Sequence, residues 1–443
     1  MYKHAFQRRY CLGIDQLLTW GVLLVVLTLI ASGRIPMELS ALGGLFILGI
    51  AGAAPPSVIF SGFGHPALAT IIAVFLVSQG IIDSQLLRGL GQALARRFRS
   101  IRAQVLSIAA VGALLSAFMN NVGAVSLMLP TAVRMSGRSG SSAGSFGLPL
   151  AMASILGGTL TLIGSAPNII IASHMLSVSG QSFKMFDFAP HGLAMLGTAL
   201  LLWLFCKACG LDPGARRTGL DGIASSQGTS SDEREVPPLN EKVPFAPLAN
   251  RQRRMTFFII LLAVLTVSFG LLHPALGFGG AALLLVVSGV LKPLSAYQSV
   301  DLKIVFFLGA MLGIGQTLEY TGALDSLSAY LAYFGEGLSP FWLIMLLVFV
   351  SSALSNAINN SAAAVFMAPL AVGISGGNGL DTAAALMAVA AGSNMALLLP
   401  THQATLMVMS KAPFSPGSFT RAGLALSLCC GLAAAAVIAL VWK

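Results

Sequence analysis

Long apolar runs dominate the chain, and each is long enough to cross a lipid bilayer or to enter it. Because the bilayer core holds no water, only helices or a closed barrel satisfy the backbone there, and continuous rather than alternating runs indicate helices. Charged residues make up only 9% of the 443 residues, too few for a water-soluble surface. A soluble enzyme, a disordered chain and a nucleic-acid-binding domain are excluded, and an all-α polytopic membrane protein is predicted. The runs are residues 17–33, 38–54, 66–83, 104–135, 147–177, 187–207, 255–272, 276–291, 301–318, 338–374, 379–410 and 420–441.

A polar segment, residues 210–254, separates two apolar halves. It holds six of the chain's 15 acidic residues, several prolines and a Ser/Gly-rich stretch. This composition favours a flexible linker, too short for a typical folded domain. We therefore expect an N-terminal segment 1–16, a first membrane half 17–209, the linker, and a second membrane half 255–443. Residues 84–103 carry five arginines among spaced leucines and predict an interfacial amphipathic helix.

Landmarks of the first half recur in the second half at a nearly constant spacing, which indicates an internal repeat. Each half is predicted to hold three spans, a re-entrant hairpin, a broken helix and a plain span. Five crossings per half invert the second repeat, and inverted repeats with broken helices in matching positions are typical of secondary transporters. The hairpins are 104–135 and 338–374, and the broken helices are 147–177 and 379–410. The paired landmarks are Asp83 and Glu319, Asn121 and Asn360, Pro130 and Pro369, and Asn168 and Thr405, at offsets of 236 to 239.

Orientation follows from the distribution of basic residues over this topology. One side collects 20 of the 25 Lys and Arg residues, including those of the linker. The positive-inside rule then places the linker in the cytoplasm and both termini outside a bacterial inner membrane. Lys3, Arg8 and Arg9 oppose this orientation, so residues 1–16 either are tolerated outside or fold back as an extra element.

Twin asparagines stand at the break of both hairpins, as Asn120-Asn121 and Asn359-Asn360-Ser361. A polar amide at membrane depth is costly unless it is used. A single Asn often caps a helix break, but a pair in both repeats favours a binding role. The breaks expose helix ends whose N–H groups attract anions and whose carbonyl oxygens can hold a cation.

The broken helices supply the remaining candidates for substrate binding: Thr159, Asn168, His402 and Thr405. Thr159 could instead bond to its own helix, and His402 could titrate, bind substrate or simply pack. Residues 104–133, 147–183, 338–380 and 382–410 contain no Asp, Glu, Lys or Arg. Neutral oxygens suit Na⁺ and helix N-termini suit an anion, so co-transport would offset the two charges without an ionised side chain.

Four segments resemble the divalent anion:sodium symporter family of the ion transporter superfamily, which includes sodium/dicarboxylate, citrate and sulfate carriers. They are SGFGHPALATIIAVFLVSQGIID (61–83), SAFMNNVGAVSLMLPTA (116–132), GGTLTLIGSAPNIII (157–171) and NNSAAAVFMAPLA (359–371). The resemblance implies a homodimer with an elevator mechanism. A transport unit of hairpins and broken helices would slide against a scaffold that comprises the first two spans of each half, with residues 84–103 as an arm.

The resemblance also implies ligand positions at the hairpin tips. Substrate contact is implied for Asn121 and Asn360, within the triplets Asn120-Asn121-Val122 and Asn359-Asn360-Ser361. Both triplets depart from the Ser-Asn-Thr pattern of relatives, which leaves the substrate open between dicarboxylates and a smaller anion such as sulfate. Sodium coordination is implied for Ser116, Asn121 and Gly164 in the first half, and for Ser355, Ile358 (through its backbone), Asn360 and Gly392 in the second.

Together these features predict a sodium-coupled symporter that imports a small di- or tricarboxylate or sulfate. We expect no enzymatic activity and no cofactor, with sodium as the coupling ion and the lipid bilayer and a second copy as partners. A proton-coupled carrier, and an exporter or antiporter of the same superfamily, remain open. An intramembrane enzyme is disfavoured because no Ser–His or paired-Asp arrangement falls within the spans, and a channel would be distinguished only by its transport rate.

Overall fold

The computed structural model describes residues 13–84, 98, 100–205, 250–324, 337–375 and 379–442. These residues form helices and connecting turns without a β-strand, which confirms the predicted all-α fold. Most of the N-terminal segment, of the predicted amphipathic helix and of the linker lies outside the described residues.

The described residues of the first half form nine α-helices. A 3₁₀ turn, Phe60–Gly64, joins the third helix to the fourth. The helices are α1 (Ile14–Ser32), α2 (Met37–Ile50), α3 (Pro56–Ile59), α4 (Pro66–Asp83), α5 (Ile101–Ser116), α6 (Asn121–Ser139), α7 (Ala143–Gly157), α8 (Ala166–Ser179) and α9 (Ala189–Phe205).

Nine α-helices also form in the described residues of the second half, in the same order of long and short elements. They are α10 (Asn250–Ser268), α11 (Pro274–Val287), α12 (Pro293–Ser299), α13 (Leu302–Tyr320), α14 (Pro340–Ala357), α15 (Asn360–Ser375), α16 (Thr382–Ser393), α17 (Gln403–Lys411) and α18 (Pro416–Val441).

Five helices of the described part are long and apolar enough to cross a membrane. The four segments that the sequence marks as interrupted each form two helices instead of one: α5 and α6, α7 and α8, α14 and α15, and α16 and α17. Non-helical backbone within such apolar segments requires protein partners, because lipid offers none. The five long helices are Ile14–Ser32, Pro56–Asp83, Leu302–Tyr320, Pro340–Ala357 and Pro416–Val441.

The two halves pack against each other reciprocally. Helix α2 packs on α13, and its counterpart α11 packs on α4; likewise α8 packs on α15, and α17 packs on α6. When element i of one unit contacts element j of the other, and j contacts i, the units are related by a two-fold operation. Matching helices of the two halves therefore make matching contacts across the boundary between the halves.

A matched pair of glycines brings each broken helix against its hairpin. A β-carbon at Gly157 of α7 would lie 2.2 Å from the carbonyl oxygen of Ala113 in α5. In the second half, a β-carbon at Gly392 of α16 would lie 2.2 Å from the carbonyl oxygen of Val348 in α14. Only glycine permits this approach, and the same residue fills the matching position in both halves.

Candidate functional site

A cavity of about 300 Å³ lies where the four helix breaks meet. Its two sides differ in chemistry. The hairpin tips and the unwound parts of the broken helices contribute amides, hydroxyls and an imidazole, whereas α2, α4 and α13 contribute a mainly apolar wall. The polar side comprises Asn120, Asn121, Ser165, Ser355, Asn359, Asn360, Ser361, Thr401, His402 and Gln403, and the wall comprises Met37, Ile71, Val74, Phe75, Ile304 and Phe307.

Hydrogen bonds hold both asparagines in place at the tip of the first hairpin. Asn120 is the N-cap of α6, and its Oδ1 accepts from the Val122 N–H at 3.3 Å. Asn121 is 5% exposed, and its Oδ1 accepts from the hydroxyl of Ser116 at 2.6 Å. Ser116 is fully buried at the end of α5, so this bond closes the hairpin and fixes the Asn121 amide at the edge of the cavity.

The tip of the second hairpin repeats this arrangement. Asn359 Oδ1 accepts from the N–H groups of Ser361 and Ala362, at 2.8 and 3.1 Å, and thereby caps α15. The Ser355 hydroxyl lies 2.9 Å from Asn360 Oδ1, which matches the Ser116–Asn121 pair at an offset of 239. The Asn359 amide also lies 2.9 Å from the sulfur of Met37 in α2, so the tip contacts the apolar wall.

The second helix of each broken pair begins at the cavity. Ser165 is the N-cap of α8, where its side chain makes no capping bond, and its hydroxyl oxygen is buried without a hydrogen-bond partner. His402 is the N-cap of α17, and its Nδ1 accepts from the Ala404 N–H at 3.2 Å. In a neutral imidazole one nitrogen accepts and the other donates. Nε2 of neutral His402 is therefore a donor.

Four helix N-termini thus converge on one cavity, because the N-cap residues of α6, α8, α15 and α17 all line it. Each helix N-terminus is equivalent to roughly half a positive charge, so the four together present about two positive charges. The described residues that line the cavity include no Asp, Glu, Lys or Arg. The arrangement attracts an anion without a buried ionised side chain.

Oxygen atoms gather beside the first hairpin. A β-carbon at Gly164 would lie 2.6 Å from the Gly158 carbonyl oxygen and 3.0 Å from the Ser116 carbonyl oxygen. A β-carbon at Gly158 would lie 2.8 Å from Asn121 Oδ1 and 3.1 Å from the Gly164 carbonyl oxygen. The structure therefore brings together Ser116, Asn121 and Gly164, the three residues with sodium roles implied by resemblance, and it adds Gly158.

The second half offers a smaller oxygen group. The Ser355 hydroxyl oxygen lies 2.5 Å from the Ser393 carbonyl oxygen as well as close to Asn360. Ile358 is the C-cap of α14 and lines the cavity. Gly392 is packed against α14 and is not part of the lining, so the carbonyl that reaches Ser355 belongs to the next residue, Ser393.

Side chains tie the unwound segments to the hairpins. In the first half, the Thr161 hydroxyl donates to the Ala117 carbonyl. In the second half, Asn356 Nδ2 donates to the Met395 carbonyl at 3.0 Å, and its Oδ1 accepts from the Leu398 N–H at 2.8 Å. These bonds satisfy the backbone groups that the breaks expose, which is the condition for irregular backbone at membrane depth.

Three residues predicted to contact substrate do not line the cavity. Thr159 is fully buried and donates to the Leu156 carbonyl of its own helix at 2.6 Å. Asn168 is fully buried and donates to the carbonyls of Gly158 and Thr161, at 3.2 and 2.8 Å. Thr405 is fully buried with a hydroxyl that has no partner. The structure places these three behind the lining.

Sequence reasoning missed several parts of the cavity. Ser165 stands 237 positions before His402, and this repeat offset could have identified it as the matching N-cap. Thr401 and Gln403 border His402 in the same break. The apolar wall has no comparable signal, because an apolar residue that faces a cavity looks the same in sequence as one that faces lipid.

Comparison with known proteins identifies the family. The model of the citrate transporter family, CitMHS, matches residues 27–440. The chain belongs to this family. It is therefore a transporter and not an enzyme, as predicted, and its resemblance to the divalent anion:sodium symporters of the ion transporter superfamily is confirmed.

Curated relatives of this citrate transporter family member match only in part. The uncharacterized transporter sll0640 of Synechocystis is 29% identical over 50% of this chain and 36% of its own length. Sodium/sulfate cotransporter 1 of Chlamydomonas reinhardtii is 29% identical over 32% of this chain and 17% of its own length. The matched region thus spans about a third or less of these relatives.

A solved structure shows the same fold. The YdaH transporter of Alcanivorax borkumensis, whose crystal structure reveals an unusual topology, aligns with a TM-score of 0.63 over 97% of this chain and 98% of its own chain. The two sequences are 15% identical, so the likeness concerns the fold alone.

Proposed function

We propose that this citrate transporter family member is a sodium-coupled symporter that imports a small multivalent anion. The observation that carries the proposal is the convergence of four helix N-caps, Asn120, Ser165, Asn359 and His402, on one cavity. Their helix ends attract about two negative charges. A divalent or trivalent anion therefore finds compensation there, and sodium ions supply what remains.

Sodium fits the oxygen groups beside the hairpins. Carbonyl and amide oxygens are the ligands that hard cations prefer, and the group around Gly158 and Gly164 supplies four of them together with Ser116 and Asn121. The second group, at Ser355, Asn360 and Ser393, is poorer in carbonyls. A sodium ion in either group would place a positive charge next to the anion and so favour its binding.

A di- or tricarboxylate is our first candidate substrate, and sulfate is the second. The donors lie on two pairs of helix ends that belong to opposite halves, which suits an anion with separate carboxylates. The volume of about 300 Å³ is at the lower end of the range for small-molecule sites. The family's name favours citrate, and the named relative from Chlamydomonas favours sulfate.

An elevator movement fits the division of the cavity. Polar groups that bind the anion sit on the hairpins and broken helices, whereas the wall from α2, α4 and α13 is mainly apolar and offers few directional bonds. A polar unit can slide along such a wall at the cost of few hydrogen bonds, such as the one from the Asn359 amide to the Met37 sulfur. We therefore propose inverted repeats, re-entrant hairpins, an elevator and a homodimer, in a bacterial inner membrane with the linker in the cytoplasm.

Uptake into proteoliposomes tests the proposal. Radiolabelled citrate, succinate and sulfate are offered with an inward Na⁺ gradient, with K⁺ in its place, and with a proton uncoupler. We expect uptake of at least one anion to require Na⁺ and to survive the uncoupler. Uptake that ignores Na⁺, or efflux driven by an outward substrate gradient alone, contradicts sodium-coupled import.

His402 supports one alternative, proton coupling. Among the described residues that line the cavity, it is the only side chain with a titratable group. Uptake that collapses with the pH gradient, and becomes insensitive to that gradient in His402→Gln, would identify a proton-coupled carrier. Glutamine keeps a donor near the Nε2 position but carries no titratable proton.

A further inference from the structure

A hydrogen bond between two buried asparagines joins the broken helices of the two halves. Asn394, at the end of α16, donates through Nδ2 to Asn168 Oδ1 at 2.8 Å, although 226 positions separate them in the chain. Asn168 is 0% exposed and Asn394 is 1% exposed. We refer to this pair as the Asn168–Asn394 bridge.

The bridge fixes the orientation of both amides. Asn394 Nδ2 also donates to the Ala390 carbonyl at 2.8 Å, so its nitrogen is held on that side. Because Asn168 Oδ1 accepts from Asn394, Asn168 Nδ2 must face the opposite way. There it donates to the carbonyls of Gly158 and Thr161. A rotated Asn168 would instead set its oxygen against those two carbonyl oxygens.

These carbonyls belong to the turn that forms the first oxygen group. The Gly158 and Ser116 carbonyl oxygens lie 2.6 and 3.0 Å from the β-carbon position of Gly164, and Asn121 Oδ1 lies 2.8 Å from the β-carbon position of Gly158. A side chain of the second half therefore determines where a carbonyl oxygen of the first half points. Asn394 lies behind the lining of the cavity, so this effect does not require contact with the anion.

The two positions that match Asn168 and Asn394 in the opposite halves do not form a second bridge. Asn168 corresponds to Thr405 at the offset of 237, and the match of Gly157 with Gly392, at an offset of 235, pairs Asn394 with Thr159. The Thr405 hydroxyl is buried without a hydrogen-bond partner, and the Thr159 hydroxyl donates to the Leu156 carbonyl instead. The second half thus positions a residue of the first half, and no matching bond among the described residues acts the other way.

We infer that Asn394 is a positioning residue for the cation site of the first half, and that it acts through Asn168 on the Gly158 carbonyl. The sodium part of this inference rests on the proposed function. In Asn394→Ala, Asn168 loses the bond that orients it, and a buried polar group is left unsatisfied. We expect the Na⁺ concentration for half-maximal substrate binding to rise about 5- to 30-fold, with binding at saturating Na⁺ retained.

Hydrogen exchange measures the positioning itself, without any assumption about sodium. The full-length protein in lipid nanodiscs is compared with Asn394→Ala and with Asn394→Ser, a second variant too short to reach Asn168. We expect the amides of residues 157–165 to exchange faster in both variants. The matched control is Asn356→Ala, a buried asparagine, 6% exposed, that ties the second hairpin to Met395, Leu398 and Leu399 instead of to Asn168.

A double-mutant cycle tests the route. If Asn394 acts only through Asn168, Asn168→Ala/Asn394→Ala shifts exchange and Na⁺ dependence no further than Asn168→Ala alone. Unchanged exchange of residues 157–165 in both Asn394 variants, equal acceleration in Asn356→Ala, or additive effects in the cycle would overturn the inference. If the unmodified protein binds its anion without Na⁺, the proposed function fails, while the exchange data still decide whether Asn394 positions this turn.

Discussion

Replacement of Asn121 by alanine separates the structural role of this residue from its role in ligand binding. In the protein, Asn121 Oδ1 accepts from the buried Ser116 hydroxyl at 2.6 Å. In the variant, that hydroxyl loses its acceptor, which costs about 1–3 kcal/mol for a buried donor. Because a serine hydroxyl can turn to a carbonyl of its own helix, we expect about 1–2 kcal/mol of lost stability, and a loss of ligand affinity of about 5- to 30-fold.

The double variant Asn121→Ala/Ser116→Ala makes the distinction. Removal of both partners of a buried hydrogen bond is nearly neutral, so most of the stability should return. Affinity for sodium and anion should not return, because the amide that faces the cavity is still missing. The assays are thermal unfolding and isothermal titration of the nanodisc-embedded protein. If the double variant regains normal binding along with its stability, Asn121 serves only to close the hairpin, and the reasoning is refuted.

The matching variant in the second half, Asn360→Ala, should behave differently in one respect. Ser355 keeps the Ser393 carbonyl as an acceptor at 2.5 Å, so its hydroxyl is not left unsatisfied. We expect a smaller loss of stability than in Asn121→Ala, with a comparable loss of affinity. Equal losses of stability in both variants would show that the Ser393 contact does not compensate.

Three further variants test other parts of the site. Ser165→Ala should weaken anion binding several-fold with no loss of unfolding temperature, because its hydroxyl has no partner within the protein; a stability loss would reveal a hidden one. Asn359→Ala should cost about 1 kcal/mol through loss of the α15 cap, and Asn359→Ser should recover most of it in thermal unfolding. Gly392→Ala should destabilise by about 1–3 kcal/mol or block folding, because its β-carbon would lie 2.2 Å from a carbonyl oxygen; normal expression and unfolding temperature would contradict this.

The sequence was sufficient to predict the helical fold and to single out the hairpin asparagines, which line the cavity, for a physical reason. Twin amides inside apolar runs are too costly to occur in both repeats without a role, so Asn121 and Asn360 stand out without a structure. The repeat offset also places their partners, since Ser116 and Ser355 lie five residues earlier in each hairpin. The cost of placing an amide inside an apolar run and the internal repeat of the sequence together carry this part of the prediction.

The same reasoning assigns to substrate other residues that the structure places behind the cavity lining. A polar side chain in a break can face the cavity, or it can bond to neighbouring backbone and side chains. Asn168 occupies the matching break and was expected to contact substrate, yet its amide is committed to Gly158, Thr161 and Asn394. Asn394 lies at the end of the first helix of the matching break, and it was not among the predicted site residues. The partners lie 7 to 226 positions away, and no periodicity reports such contacts.

The Asn168–Asn394 bridge links the two oxygen groups as well as the two halves. Asn394 directly follows Ser393, whose carbonyl lies 2.5 Å from the Ser355 hydroxyl of the second group, and Asn168 holds the Gly158 carbonyl of the first. A cation that orders one group would therefore order the bridge, and through it the other group. Because coupling free energies are reciprocal, either site should assist the other, and sodium activation of anion binding should be sigmoidal. In Asn394→Ala the curve should become hyperbolic as well as shifted, since the link is cut while the ligands of both groups remain. A curve that keeps its shape in this variant would show that the two sites communicate by another route, through the anion that lies between them.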